Sequence, residues 1–91
     1  MKDVIQKNLD AGVETVFNMK LKRSKFLVKN FTDGNIKVKI GDNDTYSVIG
    51  PLSWERVFNN INDCESTTPV VTRKLLITAD MPGLIEVASI D

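Results

Sequence analysis

The feature that most constrains this chain is an alternation of apolar and polar side chains with a period of two. From Val13 to Leu21 the odd positions are Val, Thr, Phe, Met and Leu, whereas the even positions are mostly polar. The same alternation returns between Ile36 and Ile40, where lysines occupy the positions in between. A period of two is typical of a strand with one buried and one solvated face. The pattern therefore predicts an all-β fold.

Turn-forming residues separate the predicted strands at intervals of about 8–12 residues, a spacing typical of small β-sandwiches and barrels. The sequence therefore predicts an antiparallel β-sandwich or barrel of six to seven strands. Asp33-Gly34 suits a tight turn with positive φ, so we expect the strands on either side of it to form a hairpin. A strand is expected at Ser53–Phe58, and residues 59–69 form the longest predicted loop.

The length of 91 residues fits one small domain, because two domains would each be too small to support a core of their own. Residues 13–91 are predicted to form a single β-sandwich domain. Residues 1–12 are predicted to be an N-terminal arm or a short strand.

Several kinds of chemistry lack the residues that they need. The chain has no histidine, so the usual general base and the commonest metal ligand are missing, and Cys64 is its one cysteine. Acidic residues on both sides of Cys64 disfavour the thiolate form. We therefore expect no enzymatic activity, no cofactor and no metal site. No apolar run approaches the length of a membrane span, and the start lacks the apolar stretch of a signal peptide, so no membrane partner is expected.

A basic stretch in the first half of the chain is a candidate nucleic-acid surface. Residues 1–39 hold nine basic and four acidic side chains, whereas residues 40–91 hold three basic and eight acidic ones. If three consecutive strands run antiparallel, most of these cations share one face with Leu27 and Phe31, an arrangement used by single-strand binders. The alternative is a solvated face that keeps the sheet soluble. The residues of this predicted face are Lys20, Lys22, Arg23, Lys25, Lys29, Lys37 and Lys39.

Trp54 and Tyr46 are candidate contacts for a sugar or a protein partner. An exposed aromatic ring can stack on a sugar or anchor a protein interface. The alternative for Trp54 is a place in the core, which is the commoner position in so small a domain. A sugar-binding β-sandwich would require at least one of the two rings to be exposed.

The run from Lys25 to Val38 resembles a stretch of small proteins encoded within prophages of Gram-positive bacteria. The closing segment Leu84-Ile85-Glu86-Val87 is similar to the final strand of the same group. The resemblance implies an all-β structural or assembly accessory of a phage, decorating the capsid or associated with the tail, without catalytic residues. The expected partners are phage structural proteins or further copies of the chain. The expected location is the host cytoplasm during assembly and then the virion.

Overall fold

The described part of the chain folds into eight β-strands. A computed structural model describes residues 3–23, 25–41, 46–58 and 72–90, and all of their side chains except those of residues 21–23, 58 and 72. The described part contains no helix. The strands are β1 (Val4–Leu9), β2 (Thr15–Arg23), β3 (Lys25–Asn30), β4 (Ile36–Ile40), β5 (Tyr46–Ile49), β6 (Ser53–Phe58), β7 (Thr72–Ala79) and β8 (Gly83–Ser89).

The all-β prediction is confirmed, and so is the strand expected at Ser53–Phe58. The predicted count of six to seven strands is wrong because β1 is a full strand that pairs with β8 along its whole length. The long polar segment of residues 59–69, with Cys64, lies outside the described residues.

The strands form two four-stranded antiparallel sheets. Sheet I has the order β1-β8-β3-β6, and sheet II has the order β2-β7-β4-β5. Among the described strands, only β4 and β5 are consecutive partners within one sheet. All other connections between consecutive strands pass from one sheet to the other. The two sheets are not closed into a barrel.

One hydrophobic core lies between the inner faces of the two sheets. Phe26 and Val87 of sheet I and Phe17 and Ile77 of sheet II are fully buried in the same cluster. These residues occupy alternate positions along their strands, as the period of two requires. Each buried side chain of this size contributes about 1.5–3 kcal/mol to stability.

The predicted hairpin at Asp33-Gly34 is wrong. Strand β3 pairs with β6 and β8, whereas β4 pairs with β5 and β7, so the segment between them crosses from sheet I to sheet II. Among the described glycines, positive φ values occur at Gly12, Gly41 and Gly83 and not at Gly34. A glycine is needed at position 34 for another reason, because a Cβ atom there would lie 2.8 Å from Cγ of Met81.

The buried side chain of Asn30 fixes this crossing. Its Nδ2 atom donates to the carbonyl oxygens of Gly34 at 2.8 Å, Gly50 at 2.9 Å and Ile49 at 3.2 Å. Its Oδ1 atom accepts from the backbone N–H of Thr32 at 2.9 Å and from the Thr32 hydroxyl at 2.7 Å. Asn30 thus joins the β3–β4 connection to the β5–β6 connection. This network occupies the end of β3, where a hairpin would have continued the ladder.

Candidate binding surfaces

The basic residues predicted to share one face are divided between the two sheets. Lys25 and Lys29 lie on β3 in sheet I, whereas Lys37 and Lys39 lie on β4 in sheet II. Lys20 is exposed on β2, also in sheet II. The prediction of a single continuous basic face is therefore wrong, because the chain passes to the other sheet after β2 and again after β3. Nucleic-acid binding by individual lysines stays a prediction. The side chains of Lys22 and Arg23 lie outside the described set.

An exposed tryptophan stands on the outer face of sheet I. Trp54 lies on the edge strand β6 and is 61% exposed, so the alternative that places it in the core is wrong. The residue opposite Trp54 on β3 is Lys29, and the next outward pair along the two strands is Leu27 with Arg56. A shallow groove results, which we call the Trp54 groove. Its lining residues are Lys25, Leu27, Trp54, Arg56 and Ile90.

Two cations of the Trp54 groove have no carboxylate partner among the described residues. Lys29 lies beside the groove, and its Nζ atom is 3.4 Å from Oε2 of Glu86 on the neighbouring strand β8. Glu86 is also held by Gln6, whose Nε2 atom donates to it at 2.7 Å. Lys25 and Arg56 form no ion pair with any residue that the structure describes. The groove therefore combines an exposed aromatic ring, two half-exposed aliphatic side chains and two positive charges that no described carboxylate pairs with.

Tyr46 belongs to a different surface, on the outer face of sheet II. It is 48% exposed, but the Nζ atom of Lys37 lies 5.2 Å from the centre of its ring. Lys39 is the residue opposite Tyr46, and its Nζ atom lies 3.8 Å from Oε2 of Glu14. The cations of this surface are thus already engaged with groups of the same chain, and one face of the ring is covered.

A third surface lies at one end of the molecule, where four connections between strands meet. Backbone hydrogen bonds join Gly12 to Ala79, Asp80 to Asn35, and Leu52 to Thr32. These contacts gather residues 10–14, 31–35, 50–52 and 80–82 into what we call the loop end.

The loop end is both apolar and acidic. Phe31, Leu52 and Met81 are exposed by 49%, 71% and 47%. The four connections contain no Lys or Arg, and three of their acidic residues are exposed and form no ion pair with a described residue. These residues are Asp10, Asp33 and Asp80. Sequence reasoning missed this surface because its acids are spread over 71 positions and only the topology brings them together.

The Asp and Glu residues in the described part of the chain form no group of three or more that could hold a metal ion. None of the described segments is a helix long and apolar enough to cross a membrane.

No family model, no curated protein and no solved structure matches this chain.

Proposed function

We propose that this chain is a non-enzymatic protein-binding domain whose interface is the Trp54 groove. The observation that carries the proposal is a tryptophan exposed by 61% on a sheet face, beside an arginine that has no carboxylate partner in the described part of the chain. Tryptophan and arginine are the residues most enriched at the energetic centres of protein interfaces. The ring is not isolated, because Leu27 and Ile90 line the same groove beside two cations. An exposed apolar patch rimmed by polar residues is typical of an interaction site.

The resemblance of the Lys25–Val38 run to small prophage-encoded proteins supports a phage particle as the setting. In that setting the chain is a structural or assembly accessory, and its partners are phage structural proteins or its own copies. We also propose that the two sheets pack as a β-sandwich, since their inner faces share one core. Sandwiches leave both outer faces available for contacts, and the outer face of sheet I carries the groove.

The test is incorporation into particles. Phage particles are induced from the bacterium that encodes the chain, purified, and assayed for the chain by quantitative mass spectrometry. We expect the wild-type chain to be present and Trp54→Ala to reduce its incorporation more than tenfold. Tyr46→Ala is the matched aromatic variant on the opposite outer face and should leave incorporation unchanged. Absence of the wild-type chain from intact particles would overturn the phage setting, and a loss that follows Tyr46 would overturn the groove.

Single-stranded nucleic acid is the second candidate occupant of the groove. Trp54 could stack on a base while Lys25 and Arg56 contact phosphates. This proposal predicts binding of a labelled oligonucleotide at about 50 mM salt that weakens steeply as salt is raised, with a slope reporting about two contacts. Absence of binding at the low salt concentration would remove it.

A sugar is the third candidate from the sequence. Both rings meet the requirement of exposure. The described lining of the Trp54 groove, however, holds no Asp, Asn or Gln to accept or share hydrogen bonds with hydroxyl groups. The chemistry of the groove therefore favours a protein or an anionic polymer over a neutral sugar.

A further inference from the structure

The Trp54 groove and the loop end are complementary surfaces. The groove presents an apolar centre with the cations Lys25 and Arg56, which have no carboxylate partner among the described residues. The loop end presents three exposed apolar side chains and three exposed aspartates, and its four connections contain no Lys or Arg. Opposite charges around two apolar patches steer association and fix orientation when the patches meet.

The two surfaces of one molecule cannot satisfy each other. The groove faces perpendicular to sheet I, because side chains stand out from a sheet, whereas the loop end faces along the strands. Strand β3 ends at Asn30. Leu27, the residue opposite Arg56, lies three residues before that end, and Lys25 lies five residues before it. At 3.3 Å per residue, the backbone positions of Arg56 and Lys25 are roughly 10 and 17 Å from the end of β3. Both distances exceed the screening length of about 8 Å at physiological ionic strength. The charges of the groove thus have no partner among the described acidic residues of the same molecule.

We propose that the loop end of one copy binds the Trp54 groove of a second copy. This inference rests on the proposed function, in which the groove is a protein interface, and it names the partner as the chain itself. The proposed contact is head-to-tail, with each copy giving its loop end to one neighbour and its groove to another. Such a contact repeats from copy to copy and produces a ring if the rotation closes and a filament if it does not. Either product suits a component of a symmetric particle.

Two variants with one damaged surface each provide the test. Trp54→Ala/Arg56→Glu removes the groove and keeps the loop end. Asp33→Lys/Asp80→Lys reverses the charge of the loop end and keeps the groove. In analytical ultracentrifugation we expect the wild-type chain to form oligomers larger than a dimer and each variant alone to be monomeric. An equimolar mixture should form a one-to-one dimer, because one intact copy of each surface remains.

The fluorescence of Trp54 reports the same contact, since it is the only tryptophan of the chain. Its emission should move to shorter wavelength as the wild-type concentration rises, and the shift should be reversed when salt is raised from about 0.01 to 1 M. Trp54→Ala alone should weaken association about 30-fold, the loss typical of a tryptophan at the centre of an interface. Val48→Ala, on the outer face of sheet II, is the control and should associate as the wild type does.

Several results would overturn the inference. The first is a wild-type chain that stays monomeric at about 1 mM. The second is an equimolar mixture of the two variants that remains monomeric. The third is the persistence of oligomers in Trp54→Ala/Arg56→Glu. A monomeric chain whose incorporation into particles still depends on Trp54 would overturn self-association and leave the proposed function standing. Emission that shifts only when a single-stranded oligonucleotide is added would overturn both in favour of nucleic acid.

Discussion

Replacing Asn30 with alanine should destabilise the fold by about 3–4 kcal/mol. The side chain is 1% exposed, and its two amide protons serve three carbonyl oxygens while its Oδ1 atom accepts two further bonds. About four independent hydrogen bonds are lost, each worth about 1 kcal/mol net. Water can replace some of those at the partly buried Gly34 and Gly50 carbonyls. The buried N–H of Thr32, however, would lose its acceptor.

Urea unfolding followed by far-ultraviolet circular dichroism measures this loss. With an m-value of about 1–3 kcal/mol/M, the midpoint should fall by about 1–4 M. Circular dichroism is the suitable signal because Trp54 is exposed in the folded chain and its fluorescence reports the core poorly. Asn18→Ala, an exposed site on β2, is the matched control and should change stability by less than about 0.5 kcal/mol.

Asn30→Asp sharpens the test because it keeps the shape of the side chain and removes both donors. An ionised carboxylate would then face three carbonyl oxygens, so the loss at neutral pH should exceed that of Asn30→Ala. Burial against carbonyl oxygens raises the pKa of the introduced carboxyl group above its usual value of about 4, and the protonated group can donate again. The excess should therefore shrink as the pH falls from neutral and be gone below about pH 4. A loss under about 1 kcal/mol for Asn30→Ala would refute the reasoning that this side chain fixes the crossing.

Three further predictions concern single sites. Gly83→Ala should destabilise the fold by about 2–3 kcal/mol in urea unfolding, because φ is +156° and a Cβ atom would lie 2.8 Å from Cγ2 of Thr32. Gly50→Ala is the control, since φ is not positive there and an added Cβ atom would meet nothing closer than 4.0 Å. It should change stability by less than about 1 kcal/mol, and equal losses would contradict this account. Leu52→Gly should raise the free energy of unfolding by about 0.5–1 kcal/mol in urea unfolding, because Leu52 has a φ of 53° and its side chain is 71% exposed. A lower urea midpoint for this variant would contradict backbone strain at Leu52. Iodide should quench Trp54 fluorescence more strongly than caesium at low salt, because the nearby cations attract anions, and equal quenching would contradict a positive groove.

The sequence was sufficient to predict the strands from β2 to β8 and insufficient to predict which strands pair. Alternation marks which residues of β3 and β4 point inward, but it is the same whether two strands lie side by side or face each other across a core. The turn chemistry of Asp33-Gly34 favoured two strands lying side by side in a hairpin. The observed strands face each other across the core, because Asn30 is buried at the end of β3 and donates hydrogen bonds to Ile49 and Gly50. A single buried amide is not visible in a pattern of apolar residues.

The candidate site could be predicted only in part. Trp54 and Arg56 are two positions apart in a predicted strand, so they share a face, and Lys25 and Leu27 share a face in the same way. That these two pairs are neighbours depends on the register of β3 with β6, which joins strands separated by 22 residues in the chain. Local patterns carry no information on such a pairing, and the position of Trp54 outside the core depends on it.

The place of β8 in sheet I constrains when this fold can form. β8 lies between β1 and β3 and is the only described partner of β1, yet it follows every other described strand in the chain. During synthesis, β1 must therefore wait unpaired until the residues of β8 have left the ribosome. The inner face of sheet I cannot close over the core before then, so we expect the domain to fold after, rather than during, the translation of its first seven strands.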